Sequence, residues 1–351
     1  MTRGQVPVLL SSSFAFIAPI ISVREMYGTE FALGGIVIAG VLYLVFAGII
    51  AAAGVDAVLR LFPTTVTSTM VILIGLVLAP VAVKNASENW GVAGATFVVA
   101  AAVKGVFGRN IIGSLSVLIA IFAGYVLAVT VGMVDFSLVA RAELVARPAS
   151  IFPAFSWPAI SLIAPVALVT ALEHVADISA VGRVTEKDFL REPGVHRTLI
   201  GDGLATSIAG LLGGCANTTY SENIGALEMT GVKKPVTLRI TALLLILLAF
   251  LPKLTAYLHS IPSAVIGGVS ILLFGLISAN GVKGLIAERV DMRKFHNVIV
   301  VASMLIVGTG GTVIAVGTVE VSSLAAAAVV GIALNFAFSW RYVLFGTARE
   351  T

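Results

Sequence analysis

The residues whose types and spacing can do chemistry are a few acids set in an apolar chain, and one polar run that contains one of them. Residues 216–231 include Asn217, Thr218, Thr219, Tyr220, Ser221, Glu222, Asn223, Gly225 and Thr230, and they lie between the apolar runs 208–212 and 240–251. A stretch this polar is tolerated at membrane depth where it lines a cavity. Its carboxylate, amides and hydroxyls then form a hydrogen-bonding site for a polar ligand. Glu173, Asp177 and Asp202 are further acids in apolar surroundings. Each costs roughly 2.5–3.5 kcal/mol at mid-helix, which turns them all toward an interior. Glu173 and Asp177 stand four apart and share a helix face, with His174 about 100° around the axis from Glu173. Two carboxylates on one face repel, and one proton held between them relieves the repulsion. That is the chemistry of proton coupling, and it marks Glu173, Asp177 and Asp202 as its carriers.

The same residues also admit quieter roles. Thr219 and Glu222 have capping-box spacing, so Glu222 can close a first helical turn with or without a ligand. Asp202, between Gly201 and Gly203, would serve equally as a hydrogen-bond partner between helices. His174 reads as a packing or hydrogen-bonding residue, and Phe14, Tyr220 and Phe274 as packing. No cofactor or metal is expected. The run from Glu173 to Asp177 lacks the second histidine of a zinc-protease helix, and the glycines of 210–214 are not followed by Lys-Ser/Thr.

The elements that position these residues follow from composition. The chain has 351 residues, 58% hydrophobic and 11% charged, with mean hydropathy +1.06, whereas soluble domains carry about 25% charged residues. It reads as an all-α polytopic membrane protein. Its one cysteine, Cys215, excludes an internal disulfide, and the net charge of +4 resides in short loops, which argues against nucleic acid as a partner. Nothing at the N-terminus resembles a cleavable signal. With roughly 20 apolar residues per span, segments are expected at 6–23, 29–53, 61–84, 91–108, 111–134, 156–182, 195–213, 218–231, 234–258, 262–287, 295–312 and 320–345. The first and eighth are too polar or too short for one continuous helix and read as broken, an extended stretch meeting a half-helix. Of the 22 lysines and arginines, Arg24, Lys84, Arg141, Arg147 and Lys253 fall on one side and the rest share the side of both termini, which makes the termini cytoplasmic. Residues 135–158 read as an interfacial connector between two halves. Those halves echo each other: Ser12-Ser13-Phe14-Ala15-Phe16-Ile17 matches Thr218-Thr219-Tyr220-Ser221-Glu222-Asn223 in type, two hydroxyls, an aromatic and then the start of a half-helix. Paired broken segments of opposed direction are the mark of inverted-repeat transporters, with substrate at the crossing point.

Glu173 through Asp177, Arg197 through Gly203 and Asn217 through Gly231 resemble the nucleobase/ascorbate transporter family (nucleobase:cation symporter 2), most closely its bacterial uracil permease branch. Its signature is an acid or amide, Asn, any residue, Gly, four residues, Thr and then Arg, Lys or Gly. Glu222, Asn223, Gly225, Thr230 and Gly231 fill it. The match continues through 187–194 and 267–275. The resemblance implies a seven-plus-seven inverted repeat whose core domain (1–53 and 158–258) moves against a gate domain (54–157 and 259–351). It also implies that the chain begins at the family's third span, leaving about twelve of fourteen. Glu173 and Glu222 would then hold the base, Tyr220 would pack on its ring, the backbone at Phe14 and Ser221 would complete the polar contacts, and Phe274 would line the site. His174, Thr219, Asn223, Gly225 and Thr230 would support the motif. The implied function is proton-coupled uracil import across the cytoplasmic membrane, with a nucleobase, protons, the lipid bilayer and a second copy in a homodimer as partners. Acids at 177 and 202 look more like purine carriers, which makes xanthine or urate the alternative base. A non-transporting membrane remnant is the alternative from another class.

Overall fold

The computed structural model describes residues 2, 4–108, 110–148, 151–220, 223–224, 227, 230–311, 313–316 and 319–345. Strand β1 (Leu10–Ser12) and a 3-10 turn (Phe14–Phe16) lead into α1 (Ile17–Met26). Helices α2 (Thr29–Ala53), α3 (Val55–Leu61), α4 (Thr64–Ser87), α5 (Trp90–Phe107), α6 (Ile111–Ser114), α7 (Ser116–Thr130) and α8 (Ser137–Arg141) follow. Then α9 (Trp157–Ile163), α10 (Val166–Thr185), a π-helical turn (Leu190–Gly194) and α11 (Val195–Leu211) run to strand β2 (Asn217–Thr219). The remainder is α12 (Pro235–Leu248), α13 (Pro252–His259), α14 (Ser263–Ala287), α15 (Phe295–Thr309), strands β3 (Val313–Val316) and β4 (Val319–Ser322), and α16 (Ser323–Phe345).

Sequence punctuation sets these limits. Helix α2 is 25 residues long, about 37 Å at 1.5 Å per residue, and so spans a 30 Å hydrocarbon core. Gly28 and Gly54 bound it with φ of +113° and +83°, and the Gly54 N–H donates to Ile50 O at 2.9 Å, closing the last turn. Five described helices are long and apolar enough to cross a bilayer, or six if the bent pair α12–α13 counts as one. That pair corrects the expectation of a straight span over 234–258. The two pieces meet at 86°, because Pro252 has no N–H to continue the first helix and instead begins the second. The antiparallel hairpin β3–β4 also departs from the expected segments, standing where a loop and the start of the last span were placed.

The chain divides into two compact units. In the first, Met1–Val77 with Ser150–Ser221 and Ile277–Thr351, α2 packs along α11 and against α9 and α10. Small residues make that approach close: a Cβ on Gly40 would lie 2.6 Å from Gly203 O, and one on Gly203 2.8 Å from Gly40 O. Close backbone approach through glycine substitutes van der Waals contact for the hydrophobic drive that lipid removes. The Ser207 hydroxyl adds a bond to Val37 O at 3.1 Å. Tyr43, fully buried in α2, donates its hydroxyl to Thr170 on α10.

The second unit is Leu78–Ala149 with Glu222–Leu276. Its core runs through Val92, Ala128, Ala264 and Val265 and, separately, through Ala100, Ala120 and Val269. Asn89 caps α5 by accepting from Val92 N–H at 3.1 Å. In the connector ahead of α8, the Ser137 N–H and hydroxyl both donate to the Asp135 carboxylate at 2.8 Å. The backbone bond is the larger cause of an Asp135 carboxyl held below the usual range. Helix α12 buries none of its residues within the protein.

Candidate functional site

Both segments expected to be broken begin as strands, and the strands find each other. β1 and β2 pair antiparallel, with Leu10 opposite Thr219, Ser11 opposite Thr218 and Ser12 opposite Asn217. The ladder is extended by the Ser13 N–H, which donates to Ala216 O at 2.9 Å. The echo between Ser12-Ser13-Phe14 and Thr218-Thr219-Tyr220 is therefore a physical crossing. Its aromatic members stack: the Phe14 and Tyr220 rings lie 5.8 Å apart at an interplanar angle of 16°. The Tyr220 hydroxyl reaches back across the crossing and donates to Ser12 O at 2.6 Å.

Helix α11 fixes β2 from below. Thr206 Oγ1 donates to Asn217 O and accepts from Asn217 N–H, both at 3.1 Å, and the Asn217 amide donates to Ala205 O at 3.3 Å. Two residues along, Thr219 enters a buried polar cluster. His174 Nδ1 lies 2.8 Å from Asp202 Oδ2 and 3.0 Å from Thr219 Oγ1, while its Nε2 lies 2.7 Å from Thr198 Oγ1. Thr219 in turn donates to Asp202 Oδ2 at 3.5 Å, and Thr198 to Val195 O at 2.9 Å. His174 and Asp202 are each 1% exposed, so these contacts take the place of water. On the same helix as His174, Asp177 is buried and Glu173 half-buried. The hydroxyls of Ser13 and Thr218 are buried too, and among the described residues neither has a hydrogen-bond partner.

Of the residues singled out from sequence, Phe14, Glu173, His174, Asp177, Asp202, Thr219 and Tyr220 belong to this one unit. Asn223 and Thr230, both in helical conformation, and Phe274, buried in α14, belong to the other. Ser221, Glu222 and Gly225 lie outside the described residues. Sequence reasoning gave Thr198 and Ser13 no place in the site. Thr198 was accessible to it, standing four residues before Asp202 and so on the same face of α11. No ligand set for a metal occurs among the described residues.

Two broken spans crossing through an antiparallel strand pair, in a chain of membrane-length apolar helices, belong to the inverted-repeat transporter fold. Two solved transporters share it at low identity. The transmembrane domain of a cyanobacterial bicarbonate transporter, BicA, superposes with a TM-score of 0.63 at 14% identity, covering 95% of this chain and 84% of that one. SLC26A9 superposes with a TM-score of 0.64 at 13% identity, covering 99% and 59%. The chain itself belongs to the xanthine/uracil permease family, a permease family whose profile matches residues 1–317. It is similar to the uracil permease of Bacillus caldolyticus, 39% identical over 351 residues, and to that of Escherichia coli K12, 37% identical over 352 residues. The alignments cover 95% and 97% of this chain and 81% and 82% of those relatives. The protein is thus a multi-pass membrane permease.

Proposed function

We propose that the protein is a proton-coupled symporter that imports uracil across the cytoplasmic membrane, with both termini of the chain on the cytoplasmic side. The reading is carried by the β1–β2 crossing with its Phe14–Tyr220 stack, in a chain 37–39% identical to proteins named uracil permease. Uracil is a planar ring with two N–H donors and two carbonyl acceptors. In the proposed site the carboxylates of Glu173 and Glu222 accept from the ring N–H groups. Tyr220 packs on the ring, the backbone at Phe14 and Ser221 adds polar contacts, and Phe274 closes the lining. The hydroxyls of Ser13 and Thr218, buried and without partners among the described residues, support a site that a carbonyl-bearing ligand completes. Transport follows movement of the core domain (1–53 and 158–258) against the gate domain (54–157 and 259–351), in a protein that dimerises.

Proton coupling draws support from the buried acids Asp177 and Asp202 beside His174. One proton entering with a neutral base gains about 2.3 kcal/mol per 100 mV, enough for roughly fiftyfold accumulation at that potential. The acids at 177 and 202 also favour xanthine as the competing base. Competition binding of radiolabelled uracil against unlabelled xanthine to the purified protein separates the two. Uracil binding at least tenfold tighter supports the proposal, and xanthine binding more tightly overturns the assignment.

A further inference from the structure

His174 and Asp202 are both 1% exposed, and their 2.8 Å contact has room for one hydrogen between Nδ1 and Oδ2. Counting the remaining hydrogens decides what the cluster can hold. Thr198 has a single hydroxyl hydrogen and two neighbours to give it to, Val195 O at 2.9 Å and His174 Nε2 at 2.7 Å. If it goes to Val195, Nε2 must carry its own hydrogen to bond Thr198. The pair then holds two protons and is electrically neutral, as imidazolium with carboxylate or as imidazole with carboxylic acid. If the hydroxyl turns to Nε2, that nitrogen is bare, Nδ1–H remains on Asp202, and the pair holds one proton and a net negative charge. The two forms differ by one proton and one hydroxyl rotation, with every heavy atom in place.

We propose that His174 and Asp202 together form the buried proton store of this carrier, with Thr198 as its hydroxyl switch and Thr219 as its link to the crossing strand β2. The proposal rests on the proton-coupled reading above and names where the proton resides. Burial of an uncompensated charge is unfavourable, so the closed site holds the neutral two-proton form. When the site opens, the Nε2 proton passes to water and Thr198 turns to cap the bare nitrogen. Thr219 reports the change, because its hydroxyl touches both His174 Nδ1 and Asp202 Oδ2, and the next residue is Tyr220 of the aromatic stack. The other titratable groups of this region are Glu173, Asp177 and, in the last turn, Arg183 on α10 itself, Tyr43 on α2, and His196 and Arg197 at the start of α11. Of the other elements packed on α10, β2, the 3-10 turn, α9 and residues 323–338 of α16 bring none, while Arg191 and Glu192 of the π-helical turn are exposed and Arg191 pairs with Asp56 and Asp188.

The test is the pH profile of uracil binding and of gradient-driven uracil uptake by the purified full chain in vesicles. Asp202→Asn should flatten the profile, leaving less than a twofold change in affinity between pH 5 and pH 8, and should lose gradient-driven accumulation. His174→Gln keeps a donor toward Asp202 but removes one of the two resting places for the proton, so its pH profile should be displaced from that of the wild type. It also serves as the readout should Asp202→Asn fail to fold. A wild-type protein that ignores the pH gradient overturns both this proposal and the coupled reading. A gradient-driven wild type overturns the proton store alone if its Asp202→Asn form is equally driven, or if its His174→Gln form keeps the wild-type pH profile.

Discussion

Tyr220 does two separable things: its hydroxyl donates to Ser12 O and its ring lies against Phe14. Tyr220→Phe keeps the ring, so it should lower stability by about 0.5–1.5 kcal/mol through the lost bond and change uracil affinity little. Tyr220→Ala removes the platform, and affinity should drop by about 0.5–1.5 kcal/mol beyond any loss of fold, the worth of an aromatic pair. Isothermal titration beside a thermal melt resolves the two effects. Glu222→Gln, which preserves volume and the capping role, should weaken uracil by about 1–3 kcal/mol in the same titration; unchanged affinity would leave Glu222 with the cap alone. At this scale the sequence was informative about types and poor about partners. The burial cost of an acid flags Asp202 from its neighbours alone, but nothing local says that Thr219, seventeen residues later, meets the same imidazole.

Helix α2 offers a paired test of how the elements hold together. Gly40 faces Gly203 O closely, whereas a Cβ on Gly48 would meet nothing within 4 Å. Gly40→Ala should therefore destabilise by about 1–3 kcal/mol through overpacking, and Gly48→Ala should be neutral or slightly stabilising in a helix interior. Melting temperatures of the two variants in detergent check this, and equal shifts would contradict the close α2–α11 approach. The limits of α2 were legible because glycines flank an uninterrupted apolar run. The break at Pro252 was less so, since the two pieces taken together are still apolar enough for one span and composition alone cannot tell a bent pair from a straight helix. The β3–β4 hairpin escaped for a related reason. Its valines and isoleucine are as apolar as a span, and a hydropathy window cannot register pairing between strands.

For the whole molecule, 58% hydrophobic and 11% charged residues fix the solvent as lipid, and the crossing of two broken spans fixes the kind of machine. The class was legible from composition and the crossing from a six-residue echo, because inverted repeats retain a weak internal symmetry and carry their broken helices at corresponding places. The central claim is that uracil and a proton move together. The most direct measurement is uptake of radiolabelled uracil by vesicles holding the purified protein, with the outside acidified and with no gradient imposed. Uracil should accumulate above its external concentration only with the gradient, and collapse to equilibrium when a protonophore is added; equal uptake under both conditions would contradict the account.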